Sequence, residues 1–530
     1  MISFANGTKV ESIPGLSTYQ SNGTPQPRPR AALAEAFAKQ QAKQKRQRPV
    51  HAGYDAARDG DEYKKLWDNT DAFDADSAHS VDVRRKLVHR SRYEVANNGY
   101  SAGIASTYAN DLVASGPTLR MQTGSEGFNR MVERAWNTWA KKVHLRRKLW
   151  TMGHAKYVDG EAFAVVRQNR KLRHPVKIDV CLYETDQFHT PYLPFGTPNH
   201  IDGIEFDDFG NPVFYDLLRY HPGANREFTY NAVPERIPAQ YVMHWFKMNR
   251  PGQHRQVPEC ASTLNLGAAS RRWREAVLAA ADNIANFSLF LKTTLDPDVL
   301  DLAEPMSTME ILKGMMTALP GGYDAFQPRA EQPTANHHEF NNSMINEQAR
   351  PVSMPRNKAA CDSSDYNFAS GRLDHSTYYG SLDIQREDCN DLVLDPLFEL
   401  WFEYAVVTYG WLGGNPEVIE NLTDAHLWDW PKHQVADEKS HAQATQTKLA
   451  TGQAMLHEVY AADGKDFNDA LIAEAEYTGV PVNVLKTLYL IRNVPQASPP
   501  YIASELGLTA VTTGSTQSPT DSEADDAEED

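Results

Sequence analysis

Residues 258–293 read PECASTLNLGAASRRWREAVLAAADNIANFSLFLKT. From Trp273 onward, apolar residues recur at Val277, Ala280, Ile284, Phe287 and Leu291, in steps of four, three, four, three and four. An α-helix turns once in 3.6 residues, so this spacing predicts one long helix, opened by Pro258, with a single narrow apolar seam. Such a seam suits packing against neighbouring helices, and these are the candidate packing residues.

Upstream the pattern shortens. Glu161 to Val166, after Asp159-Gly160, reads as a strand, as do Lys177 to Tyr183 and Asn211 to Tyr220, with a turn at Asp208-Phe209-Gly210-Asn211. Before them, Val83, Leu87, Tyr93, Ala96, Tyr100, Ile104 and Leu112 predict a helix over Ser80 to Ser115, stopped by Gly116-Pro117. Phe128, Val132, Trp136 and Trp139 mark another helix, followed by the basic stretch Lys141, Lys142, Arg146, Arg147 and Lys148 and then Trp150. That basic stretch is a solvated helix face, or a surface meeting DNA. The block is α+β.

Downstream, Pro297, Pro305, Pro320, Gly321, Gly322, Pro328 and Pro333 interrupt the chain, with a helical piece near Thr308 to Ala318. Pro351 and Pro355 limit any helix in Asn341 to Lys358. Asp365 to Gly410 is helical, apolar and aromatic, and Glu438 to Ala450 and Asp466 to Thr478 predict exposed helices. Residues up to Val50 read as a flexible basic arm, and those beyond Val494 as a tail. No internal repeat stands out.

A chain of 530 residues has room for several domains, and 41% hydrophobic with 23% charged residues is a globular composition. No apolar stretch approaches the ~18–20 residues a membrane helix needs. Met1 to Gly15 has no basic cluster followed by an apolar run, so a cytosolic origin without a secretory signal is expected. Cys181, Cys260, Cys361 and Cys389 form no CxxC pair, which favours free thiols over a zinc ribbon or disulfide framework. The net charge of −16 is unevenly spread, with Arg28 to Arg48 basic and Asp521 to Asp530 strongly acidic. An acidic protein binds duplex DNA poorly without specificity, because affinity comes largely from neutralised phosphates.

Catalytic motifs are missing. Gly464-Lys465 is followed by Asp466, with no glycine five residues earlier, so no phosphate loop forms. His337-His338-Glu339 would point adjacent side chains to opposite faces of a strand, which suits surface histidines. Asp186, Asp202, Glu205, Asp207 and Asp208 are either a solvated loop or a magnesium site. No catalytic residue, metal site or cofactor is expected; the rival reading is a metal-dependent DNA-processing enzyme using Asp202 to Asp208.

Six segments, in order, resemble the portal proteins of lambda-type tailed phages. They are Arg90-Ser91-Arg92 with Asn97 to Gly103 and Val113 to Gly116; Asp159 to Phe163; Ile201 to Asp207 with Gly210-Asn211-Pro212; His244-Trp245-Phe246 with Arg250 to Pro258; Ser364 to Arg372; and Trp428 to Pro431 with Asp437-Glu438-Lys439. Arg255-Gln256 replaces the family's Arg-Gly, and Ala436-Asp437 its Asp-Pro.

The resemblance implies an α+β portal fold assembled as a ring of about twelve subunits around a DNA channel. It implies a mixed α/β wing at 51–258 after the arm at 1–50, and a first stem helix at 259–293. A small clip at 294–340, a second stem element at 341–358 and a tunnel loop at 359–372 would follow. Then come the wing helix and return at 373–436, a helical crown at 437–494 and a disordered acidic tail at 495–530. Ser363, Ser364, Asn367, Ser370 and Arg372 would face DNA; Arg372 would touch a phosphate or pair with a neighbouring helix. The implied partners are further copies of the chain, double-stranded DNA, terminase, the major capsid protein and the head–tail adaptor, with no membrane. The implied place is the virion's portal vertex, and the host cytoplasm during assembly.

Overall fold

The computed structural model describes residues 2–3, 9–10, 67, 70, 72–190, 199–224, 233–286, 290–293, 323–326, 336–364, 366–411, 422–433, 438–462 and 467–493. The chain divides into Met1–Ala72 and Phe73–Asp530. In the first unit, β1 (Ile2–Ser3) pairs antiparallel with β2 (Lys9–Val10).

The second unit begins with α1 (Ala75–Ala78), capped by Asp74, whose carboxylate accepts from the Ser77 amide at 2.8 Å. The helix expected over Ser80 to Ser115 is two helices, α2 (Val81–Asn97) and α3 (Gly99–Val113). Asn98 stands between them in extended backbone and caps α3 by accepting from the Tyr100 amide. Short polar side chains compete in this way with a continuing helix. Next come β3 (Thr118–Met121), α4 (Glu126–Lys142) and α5 (Leu145–Asp159). Helix α5 escaped the sequence reading because its buried residues run almost all round its last two turns, leaving no amphipathic period.

Strand β4 (Glu161–Gln168) pairs antiparallel with β5 (Ile178–Tyr183) and β10 (Val242–Phe246), giving the order β10-β4-β5. A second antiparallel sheet runs β6 (His200–Ile201), β7 (Ile204–Phe206), β8 (Pro212–Leu217) and β9 (Glu235–Pro238). Side chains alternate faces along a strand. Accordingly Ala162, Ala164 and Val166 join the main core with Leu112, Leu149 and Met152 of the helices. Phe163 and Val165 point the other way and pack with Ile204, Tyr215, Leu217 and Ile237 of the second sheet. Strand β4 is therefore buried on both faces.

The stem stretch is helical as α6 (Leu264–Asn286), but the helix ends there. Leu291 lies on β11 (Phe290–Thr293), opposite Ala325 of β12 (Tyr323–Phe326), and Phe287 lies outside the described residues. The apolar run Phe290-Leu291 fits a helix or a strand equally by period, and pairing with β12 decides it. The helical piece near Thr308 to Ala318 also falls outside the described residues.

Helix α7 (His337–Ala349) starts earlier than expected, so His337-His338-Glu339 is helical and not a strand. After α8 (Arg356–Ala360) comes α9 (Phe368–Cys389), then a π-helical segment, Asn390–Leu394, and α10 (Asp395–Tyr409). Strand β13 (His426–Asp429) returns to pair with β3, Trp428 facing Leu119. The end is helical: α11 (Glu438–Ala450), α12 (Leu456–Ala462), α13 (Phe467–Thr478) and α14 (Val482–Asn493). An aromatic cluster locks α10 to α4, with Trp136 at 4.9 Å from Trp139, 5.1 Å from Trp401 and 5.7 Å from Phe398.

Candidate functional site

The junction of α5 and β4 dictates the most highly charged place in the interior. Gly160 ends α5 with φ +89°, and a Cβ there would stand 2.2 Å from the Val257 carbonyl oxygen. Only glycine allows both the left-handed turn and this close approach. The segment held against Gly160 carries Arg255, whose guanidinium meets the Glu161 carboxylate at 2.7 Å through Nη2 and at 3.0 Å through Nε.

Around this pair further groups close in. Arg84, from α2, reaches Glu161 at 3.7 Å and bonds the Asp202 carboxylate. Asp202 also receives His189, and its backbone oxygen accepts from Arg255. His244 Nε2 lies 3.2 Å from Glu161, and Arg255 donates to Phe188 O at 3.1 Å and Thr185 Oγ1 at 3.1 Å. Gly203, at φ +84°, lets the Asp202 turn close; a Cβ would sit 2.7 Å from the His189 nitrogen. The arginine and carboxylate side chains are at most 6% exposed. Two cations and two anions thus balance out of water, with Phe163 stacked on Phe188 at 4.0 Å and on His244 at 4.2 Å.

Burial alone would raise both carboxyls. For Glu161 the charge of Arg255, the His244 hydrogen bond and Arg84 outweigh it and hold the group well below the carboxylate range. For Asp202 the His189 hydrogen bond and the same two arginines do so. Burial pushes His244 down despite Glu161. Both acids therefore contribute stability above their ordinary 4.5 and 3.8, lost as pH falls through and below those values. His244 acts in the same sense, because below 6.5 the unfolded chain takes up that proton first. Asp159, raised by burial despite Arg92, opposes them. The melting temperature is expected to be level between about pH 7 and 8, slip below about pH 6 and drop steeply below about pH 4. Thermal melts followed by circular dichroism check this; a rise on acidification would contradict it.

Beside this cluster, Arg92 bonds Asp159 twice at 2.8 Å and reaches Asp186 at 2.8 Å and Glu184 at 3.1 Å. Glu184, Asp186 and His221 are the group of metal-ligand type among the described residues. Arg92 already stands in it as the cation. The acidic residues suspected of holding magnesium are likewise engaged elsewhere: Asp202 as above, Glu205 by Arg236, and Asp208 by Asn199 at 3.2 Å. Asp207 shapes the turn, accepting from the Phe209 and Asn211 amides at 2.9 and 2.8 Å.

Helix α6 is tied down by its basic side. Arg271 reaches Glu94 at 3.3 Å and lies over Tyr93; Arg274 donates to Asn98 Oδ1 at 2.8 Å and lies over Tyr100. Trp273 stacks on His337 at 4.7 Å and meets Phe340 edge-on at 5.1 Å. One seam residue thus packs within the chain against α7, Val277 and Ala280 are half-buried, and Ile284 lies in the last turns of α6.

The segment read as a tunnel loop is only partly a loop. Ser363 is exposed, and Ser364 donates from its amide and hydroxyl to Asp362. Asn367 caps α9, accepting from the Ser370 amide at 2.8 Å, so Ser370 and Arg372 sit on the first turns of a helix. Arg372 is exposed without an ion pair among the described residues. In the basic stretch, Lys148 pairs with Asp179 at 2.6 Å and Arg146 donates to Ala114 O, whereas Lys141, Lys142 and Arg147 face solvent. All four cysteines are free.

The charged cluster itself was not singled out from sequence, although Glu161, Asp202, His244 and Arg255 lie in three of the six family-like segments. Its one linear signal is a charge or histidine inside a run of core residues, as in Glu161 before Ala162-Phe163 and His244 before Trp245.

The model of the phage portal protein family, lambda type, matches residues 64–384, more than half of the chain. A probable portal protein of Halomonas phage phiHAP-1 is 24% identical over 433 residues, 76% of this chain and 81% of that one. Among solved structures, the neck of an empty gene transfer agent particle, computed with C6 symmetry, aligns with 72% of this chain and 94% of that one, at 16% identity and a TM-score of 0.40. The virion of the native particle aligns with 72% and 93%, at 15% identity and a TM-score of 0.36.

Proposed function

Because the chain belongs to the lambda family of phage portal proteins, a structural component of the capsid and not an enzyme, we propose that its copies close into a ring at one capsid vertex and form the channel for double-stranded DNA. The family match over residues 64–384 carries this reading. In it, the terminase motor docks on the clip side during packaging, the head–tail adaptor later takes that place, the major capsid protein surrounds the wing, and DNA leaves by the same channel.

The chain's physical character suits the work. A ring needs heterologous contacts whose rotation closes. A conduit must hold few phosphates tightly, and a net charge of −16 serves that end. Arg372, exposed at the start of α9, is the cation offered for passing contact with a phosphate. The wing would be built around the charged cluster, with α6 as the first stem helix, α7 as the second stem element, the β11–β12 ribbon in the clip and α11 to α14 as the crown.

Purified protein is expected to sediment as a homo-oligomer of about twelve subunits and to show a central hole in negative-stain images. A stable monomer at high concentration would overturn the reading.

A further inference from the structure

Two helix faces of this chain are complementary in charge and mostly open inside the subunit, although Arg271 lies over Tyr93 and Asp395 accepts from His426 and Trp428. On α2, Val83, Lys86, Arg90 and Tyr93 recur in steps of three, four and three, which places them on one face. All four are exposed, Val83 at 42% and Tyr93 at 58%. Lys86 and Arg90 make no ion pair among the described residues.

On the other face, Glu387, Asp391, Asp395, Glu399 and Glu403 follow one another every four residues along α9, the π segment and α10. In an α-helix each four-residue step overshoots a full turn by ~40°. The wider π turn at Asn390–Leu394 takes back part of that drift, so the carboxylates stay in one ridge about 24 Å long. Like charges four apart repel one another. Burial together with the charges of Asp395, Asp424 and Glu403 pushes the Glu399 carboxyl up. Apolar side chains flank the ridge in the open: Ile384 at 64%, Tyr404 at 42% and Val407 at 81% exposure.

Resting on the ring reading above, we propose that the α2 face of one subunit docks on the α9–α10 ridge of the next, Lys86 and Arg90 meeting its carboxylates while Val83 and Tyr93 cover its apolar flank. The occupant is a second copy because the two faces carry opposite charge and each adds exposed apolar surface. Two different patches that fit each other make a head-to-tail contact, the kind that closes rings.

Charge reversal tests this directly. Lys86→Glu with Arg90→Glu makes both faces acidic, and Glu399→Lys with Glu403→Lys puts two lysines on the α10 end of the ridge, against a basic partner. Each double variant, confirmed as folded by circular dichroism, is expected to sediment as monomer or short oligomers. The chain carrying all four changes has complementary faces again and is expected to close rings, as is an equimolar mixture of the two double variants. Rings from both double variants alone would overturn the assignment of these faces and leave the ring reading intact. So would folded variants whose charges, once recombined, fail to restore rings. A wild-type chain that stays monomeric would overturn the ring and this contact together.

Discussion

Replacing Arg255 with alanine is expected to lower stability by about 3–5 kcal/mol, the usual effect of removing one partner from a buried ion pair. The side chain is 1% exposed and its partner Glu161 wholly buried. Without the guanidinium, Glu161 keeps Arg84 at 3.7 Å and the hydrogen bonds of His244, Thr185 and the Gln256 amide, and three hydrogen bonds to Phe188, Thr185 and Asp202 vanish with it. Against a total of about 5–15 kcal/mol for an ordinary domain, such a loss makes the unfolded form common. Arg255→Lys preserves the charge but not the planar fork, so an intermediate loss is expected. Urea denaturation of the three proteins ranks them; a change below about 1 kcal/mol for the alanine variant would show that the pair is not the fastening described.

Gly160→Ala should have an effect of comparable size through geometry alone. Left-handed backbone costs a non-glycine residue about 1–2 kcal/mol. Forcing a methyl group against the carbonyl of Val257, 2.2 Å away, requires the Arg255 segment to back off. Overpacking of that kind adds about 1–3 kcal/mol. The shift also pulls Arg255 from Glu161, so this variant and Arg255→Ala should be less than additive when combined. Gly210→Ala, at φ +87° but with open space around it, is the control: it should show the backbone cost without the clash. Equal losses at the two positions would refute the close-approach account.

Much of the fold could be read from the chain because its strands and caps are locally encoded. Strands β4, β5 and β8 came within a few residues of their observed bounds, whereas α6 starts at Leu264 and not at Pro258. Failures occurred where local pattern and tertiary pairing disagree. Leu291 continues the helical spacing of the seam, yet β12 captures its backbone. Asn98 looks like one more polar residue on a helix until its side chain is seen to cap the next one. The charged cluster was hidden for another reason. Its members come from positions 84, 161, 189, 202, 244 and 255, and no window of a few residues contains two arginines and the carboxylates they neutralise. Likewise, the acidic stretch around Asp202 could be read as a metal site only because the arginines that engage it lie far away in sequence.

The long sequence reach of the charged cluster bears on when the protein becomes usable. Arg84 and Asp202 are 118 positions apart, and Glu161 and Arg255 are 94 apart. At ordinary translation rates of about 5–20 residues per second, the ribosome needs on the order of ten seconds to go from the first of these side chains to the last. Until Arg255 emerges from the exit tunnel, Glu161 has nowhere dry to settle and β4 cannot be sealed on both sides. A half-synthesised polypeptide therefore lacks a finished surface, and in the proposed ring truncated products would be kept out by their own incompleteness.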